Sequence, residues 1–277
     1  MDAIIAENGV GSRLNGKIID LCDDCVRPRL ESERLTYCLG ILLPQGLVLA
    51  SDSRSNAGVD QVARVRKFDL FTLPGNRVIA ILSAGNLATT QSVISELRVA
   101  LGTGRQNDLN MIQSMFEAAR IVGDTLRATI ARDGHSVEPY GDPNGSFLVG
   151  GQIAGEACRL FQIYSAGNFI EASPRSVFLQ IGETKYGKPI LDRALNPETS
   201  LDEAAKLALL SFDATMRSNL SVGMPIDILR YETGSFSTAN MTMLKEDDGY
   251  WNSLRGTYSE GLTQLVRMLP TPPDWRS

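Results

Sequence analysis

The chain carries one histidine, His135, and that single fact removes much of the usual hydrolytic chemistry. A zinc centre built on several imidazoles is excluded. A Ser-His-Asp triad would have to use His135, which sits in the polar stretch Arg132-Asp133-Gly134-His135-Ser136 ahead of Pro139 and reads as a solvated loop. Any hydrolase written here must find its general base elsewhere. A threonine hydroxyl then has two remaining partners, a lysine of depressed pKa or a free α-amine, and the amine titrates at about 7.7 to 8 without tuning. A nucleophile at a chain terminus brings its own base.

The cysteines point to no further chemistry. Cys22 and Cys25 form the only close pair, with no second pair to complete four metal ligands and no strand-helix context for a thioredoxin-like site. Cys38 and Cys158 lie in apolar strand-like runs and read as buried thiols. No cofactor or metal is implied.

The elements that must position a site follow from the apolar pattern. Residues 1–35 lack steady periodicity and end in a highly charged run, so they read as an extension outside the fold. From Thr36 the character changes: Tyr37 to Leu43 and Leu47 to Asp52 are β-rich runs around Pro44-Gln45-Gly46, a hairpin that starts at Thr36. The pattern further predicts strands at 78–84, 146–153, 158–165, 168–172, 177–181, 225–231 and 238–244, and helices at 87–101, 110–130, 188–195, 201–217 and 251–269. Ser200 with Glu203 has the spacing of a capping box. Strands, two helices, strands, two helices, strands is an α+β order in which two sheets pack face to face under helices on both outer sides.

A net charge of -5, from 27 Lys and Arg against 32 Asp and Glu, with the basic residues scattered, makes nucleic acid a poor partner. No apolar run approaches the roughly 20 residues that span a bilayer, and no signal-peptide layout opens the chain, so no membrane association and a cytoplasmic setting are expected.

The chemistry gains its focus from a family resemblance. Thr36-Tyr37-Cys38-Leu39-Gly40-Ile41, Gly46 through Asp52-Ser53-Arg54, Asn56-Ala57-Gly58, Arg66-Lys67-Phe68 and Ser83-Ala84-Gly85-Asn86 resemble in order and spacing the proteasome β-subunit pattern. They are most similar to the bacterial proteasome-related group called Anbu. The resemblance runs from Thr36 to about Leu244, with Ser218-Asn219-Leu220-Ser221-Val222-Gly223 to Asp227 as its late segment. It implies the four-layer αββα sandwich of N-terminal-nucleophile hydrolases and a threonine peptidase acting on peptide bonds. In that reading Thr36 is the nucleophile, Lys67 lies beside its hydroxyl, Asp52 sets the position and charge of Lys67, and Arg54 braces that carboxylate. The N–H of Gly85 serves a developing oxyanion, and Ser221 holds the α-amine. Ala57, Lys67 and Ser83 line the specificity pocket. Taken without the resemblance, Lys67 is also readable as a solvated charge following Arg64 and Arg66.

Two positions depart from the pattern. Ser218 stands where most proteasome subunits carry Asp, so a counter-charge is missing, and the role of a further active-site Ser falls on Glu183 or Thr184. The Ser218 departure keeps open the alternatives of a weakly active or non-catalytic self-assembling protein and of a hydrolase of a non-peptide amide. The family also implies a peptide or protein substrate and a homo-oligomer, ring or open spiral, and the helices at 87–101 and 110–130 carry more apolar residues than one core contact needs. The expected organisation is an extension at 1–35, a hydrolase domain at 36–245 and a helical extension at 246–277. Because Thr36 follows Leu35 rather than the usual Gly of a propeptide junction, Leu35 is expected to be the initiator position, read from a rare start codon, with residues 1–34 translated only on paper.

Overall fold

The computed structural model describes residues 13–14, 17–18, 36–56 and 62–273. The chain forms two compact units, Met1–Glu33 and Arg34–Ser277. In the first, β1 (Arg13–Leu14) pairs with β2 (Lys17–Ile18) in an antiparallel ladder. Cys22 and Cys25 lie outside the described residues.

The second unit starts as the hairpin β3 (Tyr37–Leu43) and β4 (Gly46–Asp52), followed by the short pair β5 (Arg54–Asn56) and β6 (Val62–Arg64). Then come β7 (Phe68–Leu73), β8 (Arg77–Gly85), α1 (Leu87–Ala100) and α2 (Met115–Val137). Four strands follow, β9 (Gly145–Ile153), β10 (Arg159–Ile163), β11 (Phe169–Glu171) and β12 (Phe178–Gly182). The chain continues through α3 (Lys188–Ala194), α4 (Leu201–Ser218), β13 (Ile226–Glu232), β14 (Met241–Leu244) and α5 (Gly249–Met268).

Two five-stranded antiparallel sheets result, in the orders β11-β10-β9-β8-β7 and β12-β3-β4-β13-β14. Strand alternation explains the layering. On β8, Val78, Ala80, Leu82 and Ala84 join Leu47 and Leu49 of β4 in the core between the sheets, while Ile79 and Ile81 face outward to Val93, Leu97 and Leu126 of the helices. On the opposite side Val48 and Ala50 of β4 meet Ala208 and Phe212 of α4. The architecture is the α+β, αββα sandwich.

The capping box of α4 is present, with Ser200 and Glu203 bonded to each other's backbone. Other boundaries differ from the sequence reading. α2 begins at Met115, not at 110, because Ser114 accepts from the Glu117 N–H at 3.2 Å and starts the helix there. The preceding turns are held instead by Arg77, whose guanidinium bonds the carbonyls of Leu109 and Ile112. α2 then runs through His135, which is an exposed residue of its last turn rather than part of a loop; Gly134, the apparent breaker, is buried within the helix near Pro143. The strands β5, β6 and β7 are additional to those the pattern predicts. Cys38 and Cys158 are buried free thiols.

The apolar faces of α1 and α2 are largely consumed by the core, so they carry less surplus than the sequence suggests. The surplus lies on α5, where Trp251 is fully buried but Leu262, Leu265, Val266 and Met268 are exposed. Among the described residues no helix is long and apolar enough to cross a membrane.

Candidate active site

The centre of the site is a carboxylate. The β3–β4 register, with Cys38 opposite Ser51, puts Tyr37 against Asp52 at the end of β4, and Asp52 is fully buried. Its Oδ1 accepts the Tyr37 N–H at 3.1 Å and the Lys67 ammonium at 2.9 Å. Its Oδ2 accepts the N–H groups of Arg54 at 3.2 Å and Gly223 at 3.3 Å. One oxygen therefore ties the residue after Thr36 to Lys67. Burial pushes the Asp52 carboxyl up from its ordinary value, while the Lys67 ammonium and the N–H groups of Tyr37 and Gly223 pull it back.

Lys67 is itself buried, 5% exposed, at the head of β7, and it also donates to the Arg54 carbonyl. This is a paired core cation and not a solvated charge. Across the sheet the Ser83 N–H bonds the Lys67 carbonyl at 3.0 Å, and the Cys38 thiol donates to the Ser83 carbonyl at 3.4 Å, so β3, β7 and β8 meet here.

Arg54 meets the carboxylate through its main chain. Its guanidinium instead donates to the Leu220 carbonyl at 2.6 Å and lies over Gly223, where any β-carbon would overlap it. That contact fixes the segment from 219 to 223, whose backbone supplies one of the donors to Asp52. Ser221 is half-buried there, its N–H bonded to the Asn219 side-chain oxygen at 2.9 Å. Ser218, the last residue of α4, is exposed.

Of Glu183 and Thr184, Glu183 is the one tied to Thr36. Its N–H bonds the Thr36 carbonyl at 2.7 Å, and its carboxylate, buried at 7% exposure, accepts from the Asn219 side chain at 3.1 Å and the Lys185 N–H at 3.0 Å. Thr184 lines a separate groove between β12 and α3. The turn is made possible by Gly182, whose φ of +79° is accessible to few side chains and whose hydrogen faces the Thr36 carbonyl so closely that a β-carbon would collide with it. Thr36, 6% exposed, is thus held on both sides of its carbonyl end. Gly85 closes β8 at φ +104°, with Asn86 capping α1 directly after it. Ala57 lies outside the described residues. Sequence reasoning left Asn219 without a role; a helix-terminal Asn carries no sign that its side chain bridges Glu183 and Ser221.

The profile of the proteasome subunit family matches residues 35–229 of this chain. The chain belongs to the proteasome subunit family. A curated proteasome subunit beta from Haloquadratum walsbyi is 24% identical over 206 residues, 72% of this chain and 74% of its own length. Solved structures are nearer. Anbu, the ancestral beta-subunit, from Yersinia bercovieri is 47% identical with a TM-score of 0.82, covering 86% of this chain and 100% of its own. Anbu from Pseudomonas aeruginosa, solved as a helical assembly of the Anbu complex, is 46% identical with a TM-score of 0.83, covering 87% and 100%. Within the proteasome family, this chain groups with Anbu.

Proposed function

We propose that the chain is a threonine-type N-terminal-nucleophile hydrolase of peptide bonds whose active form begins at Thr36. The observation that supports this most directly is the single Asp52 oxygen shared by the Tyr37 N–H and the buried Lys67 ammonium. With the Thr36 nitrogen free, the amine takes the hydroxyl proton and the alkoxide attacks the peptide carbonyl, with the Lys67 charge favouring the alkoxide. The Gly85 N–H serves the tetrahedral oxyanion. The leaving amine takes the proton, and water, deprotonated by the same α-amine, then releases the acyl group. Asp52 keeps Lys67 in place, and Ser221, held by Asn219, orients the amine. Residues 1–35 must be absent for this chemistry, because an amide nitrogen at Thr36 cannot accept a proton.

Intact-mass spectrometry of protein from its source cell, before and after treatment with a peptide epoxyketone, tests both parts. A mass beginning at Thr36 and a single adduct mapped to Thr36 are expected. A mass that includes Met1 to Arg34, or no adduct on protein that starts at Thr36, would refute the reading.

A second reading, a self-assembling protein of little or no activity in the same family, is favoured by one observation: exposed Ser218 supplies no carboxylate to the site. Self-association belongs to both readings. The α5 residues Leu262, Leu265 and Val266 are its surface, in keeping with the helical assembly of the Pseudomonas relative. Light scattering at micromolar concentration should give a mass several times the 30.1 kDa of one chain, and Leu265→Glu combined with Val266→Glu should reduce it. A monomer before mutation contradicts self-association, and an unchanged oligomer afterwards moves the surface away from α5.

A further inference from the structure

Beside the Lys67 cluster opens a cavity of about 600 Å³ between α1, the start of β7 and the end of β8. It adjoins the site directly: Arg66 precedes Lys67, and Ser83, which lines the cavity, is bonded to the Lys67 carbonyl. Its wall is mixed in character. Hydroxyl and amide groups of Ser83, Thr90, Gln91 and Ser95 alternate with Leu87 and Ile94.

The charges inside are unequal. Two guanidiniums, Arg66 and Arg98, face one lining carboxylate, Asp69. Asp69 is already taken by an ion pair with Arg98. Arg66 is held loosely. Its side chain is 61% exposed, its Nη2 donates only to the Met241 sulfur, a weak acceptor, at 3.6 Å, and its nearest carboxylate, Asp227 at 3.9 Å, is outside hydrogen-bond range. The first turn of α1 adds no acidic residue to offset this. A guanidinium with unused donors matches a planar carboxylate and can bind it in two-pronged fashion. A lysine entering the cavity would meet no unpaired carboxylate, and a large apolar side chain would strip water from the charges without replacing its hydrogen bonds.

We infer that this cavity, resting on the function proposed above, selects an acidic side chain at the substrate residue whose carbonyl Thr36 attacks, with Arg66 as the specificity-determining residue. The chemistry concerns the cavity and not the nucleophile, so it is readable without turnover.

The probes are fluorescein-labelled peptides in which a hydroxyethylene unit replaces the scissile amide, with Glu, Leu or Lys at the preceding position. Binding to the purified wild-type protein, to Arg66→Glu and to the milder Arg66→Gln is read by fluorescence anisotropy. The Glu peptide should bind at least about tenfold tighter than the Lys peptide, Arg66→Gln should erase most of that ratio, and Arg66→Glu should invert it. Equal or tighter binding of the Lys or Leu peptide, a ratio unmoved by either variant, or no binding of any peptide overturns the assignment. The epoxyketone adduct reports separately on Thr36, so a failed nucleophile and a wrong pocket give different results.

Discussion

Replacing Lys67 by alanine is expected to lower amide turnover by about a thousandfold, the order associated with loss of a positioned proton-transfer or charge-stabilising group. The loss should fall on kcat, because the cation acts on the alkoxide as it forms and not on the bound peptide. Stability should fall as well. Lys67 and Asp52 are a buried pair, and deleting one partner of such a pair costs about 3 to 5 kcal/mol. In a unit of this size that lowers Tm by roughly 10 °C. Asp52 provides an internal check on the cause. Its folded-state carboxyl is already pushed up by burial and rises further once the ammonium is gone. The folded variant then binds a proton that the unfolded chain releases, so its stability falls as pH rises and recovers as pH drops toward the ordinary carboxylate value of about 4. The gap in Tm between wild type and variant should therefore narrow on acidification. Turnover assays and thermal unfolding across pH measure both effects. Near-wild-type turnover by a folded Lys67→Ala protein would remove Lys67 from the mechanism.

That stability cost is a property of the folded chain that the sequence alone could not display. In sequence, Lys67 follows Arg64 and Arg66 and is readable as part of a solvated basic run; its burial follows from β7, which places it at the head of a strand whose neighbour Phe68 enters the core between the sheets. The hairpin, the layered order and the capped α4 were legible because each rests on local periodicity or a local cap. The start of α2 was open to the same reasoning, since Ser114 and Glu117 have the capping spacing, but the apolar Leu109 and Ile112 extend the helical pattern backwards; in the fold those two are buried by turns that Arg77 ties down. Arg54 illustrates a different limit. Its proximity to Asp52 in sequence suggests a side-chain ion pair, whereas the β-strand geometry turns its main chain to the carboxylate and sends the guanidinium to a carbonyl 166 residues away along the chain. Contacts between distant segments, such as Asn219 with Glu183, leave no local pattern to read.

Glu183 is where that long-range arrangement gives its most informative prediction. Ser218 lacks the negative charge that would face the α-amine, and Glu183 is the buried carboxylate whose own backbone is bonded to Thr36. Its side chain also holds Asn219, which in turn holds the Ser221 N–H. We propose Glu183 as a positioning residue with two effects, geometry and charge. Glu183→Ala removes both, and a displacement on the order of 1 Å at the nucleophile is enough to lower kcat by about a hundredfold. Glu183→Gln keeps one acceptor, enough for the Asn219 side chain, and removes the charge together with the acceptor that the Lys185 N–H uses. An anion near an ammonium favours its charged form, so the glutamine variant should shift the acid limb of the kcat/KM profile to lower pH while retaining most of the rate at high pH. A purely structural role would move Tm in both variants and leave the limb where it is. Identical pH profiles for wild type and Glu183→Gln would therefore assign the carboxylate to folding alone, and a hundredfold loss in Glu183→Ala that Glu183→Gln restores at high pH would assign it to the amine.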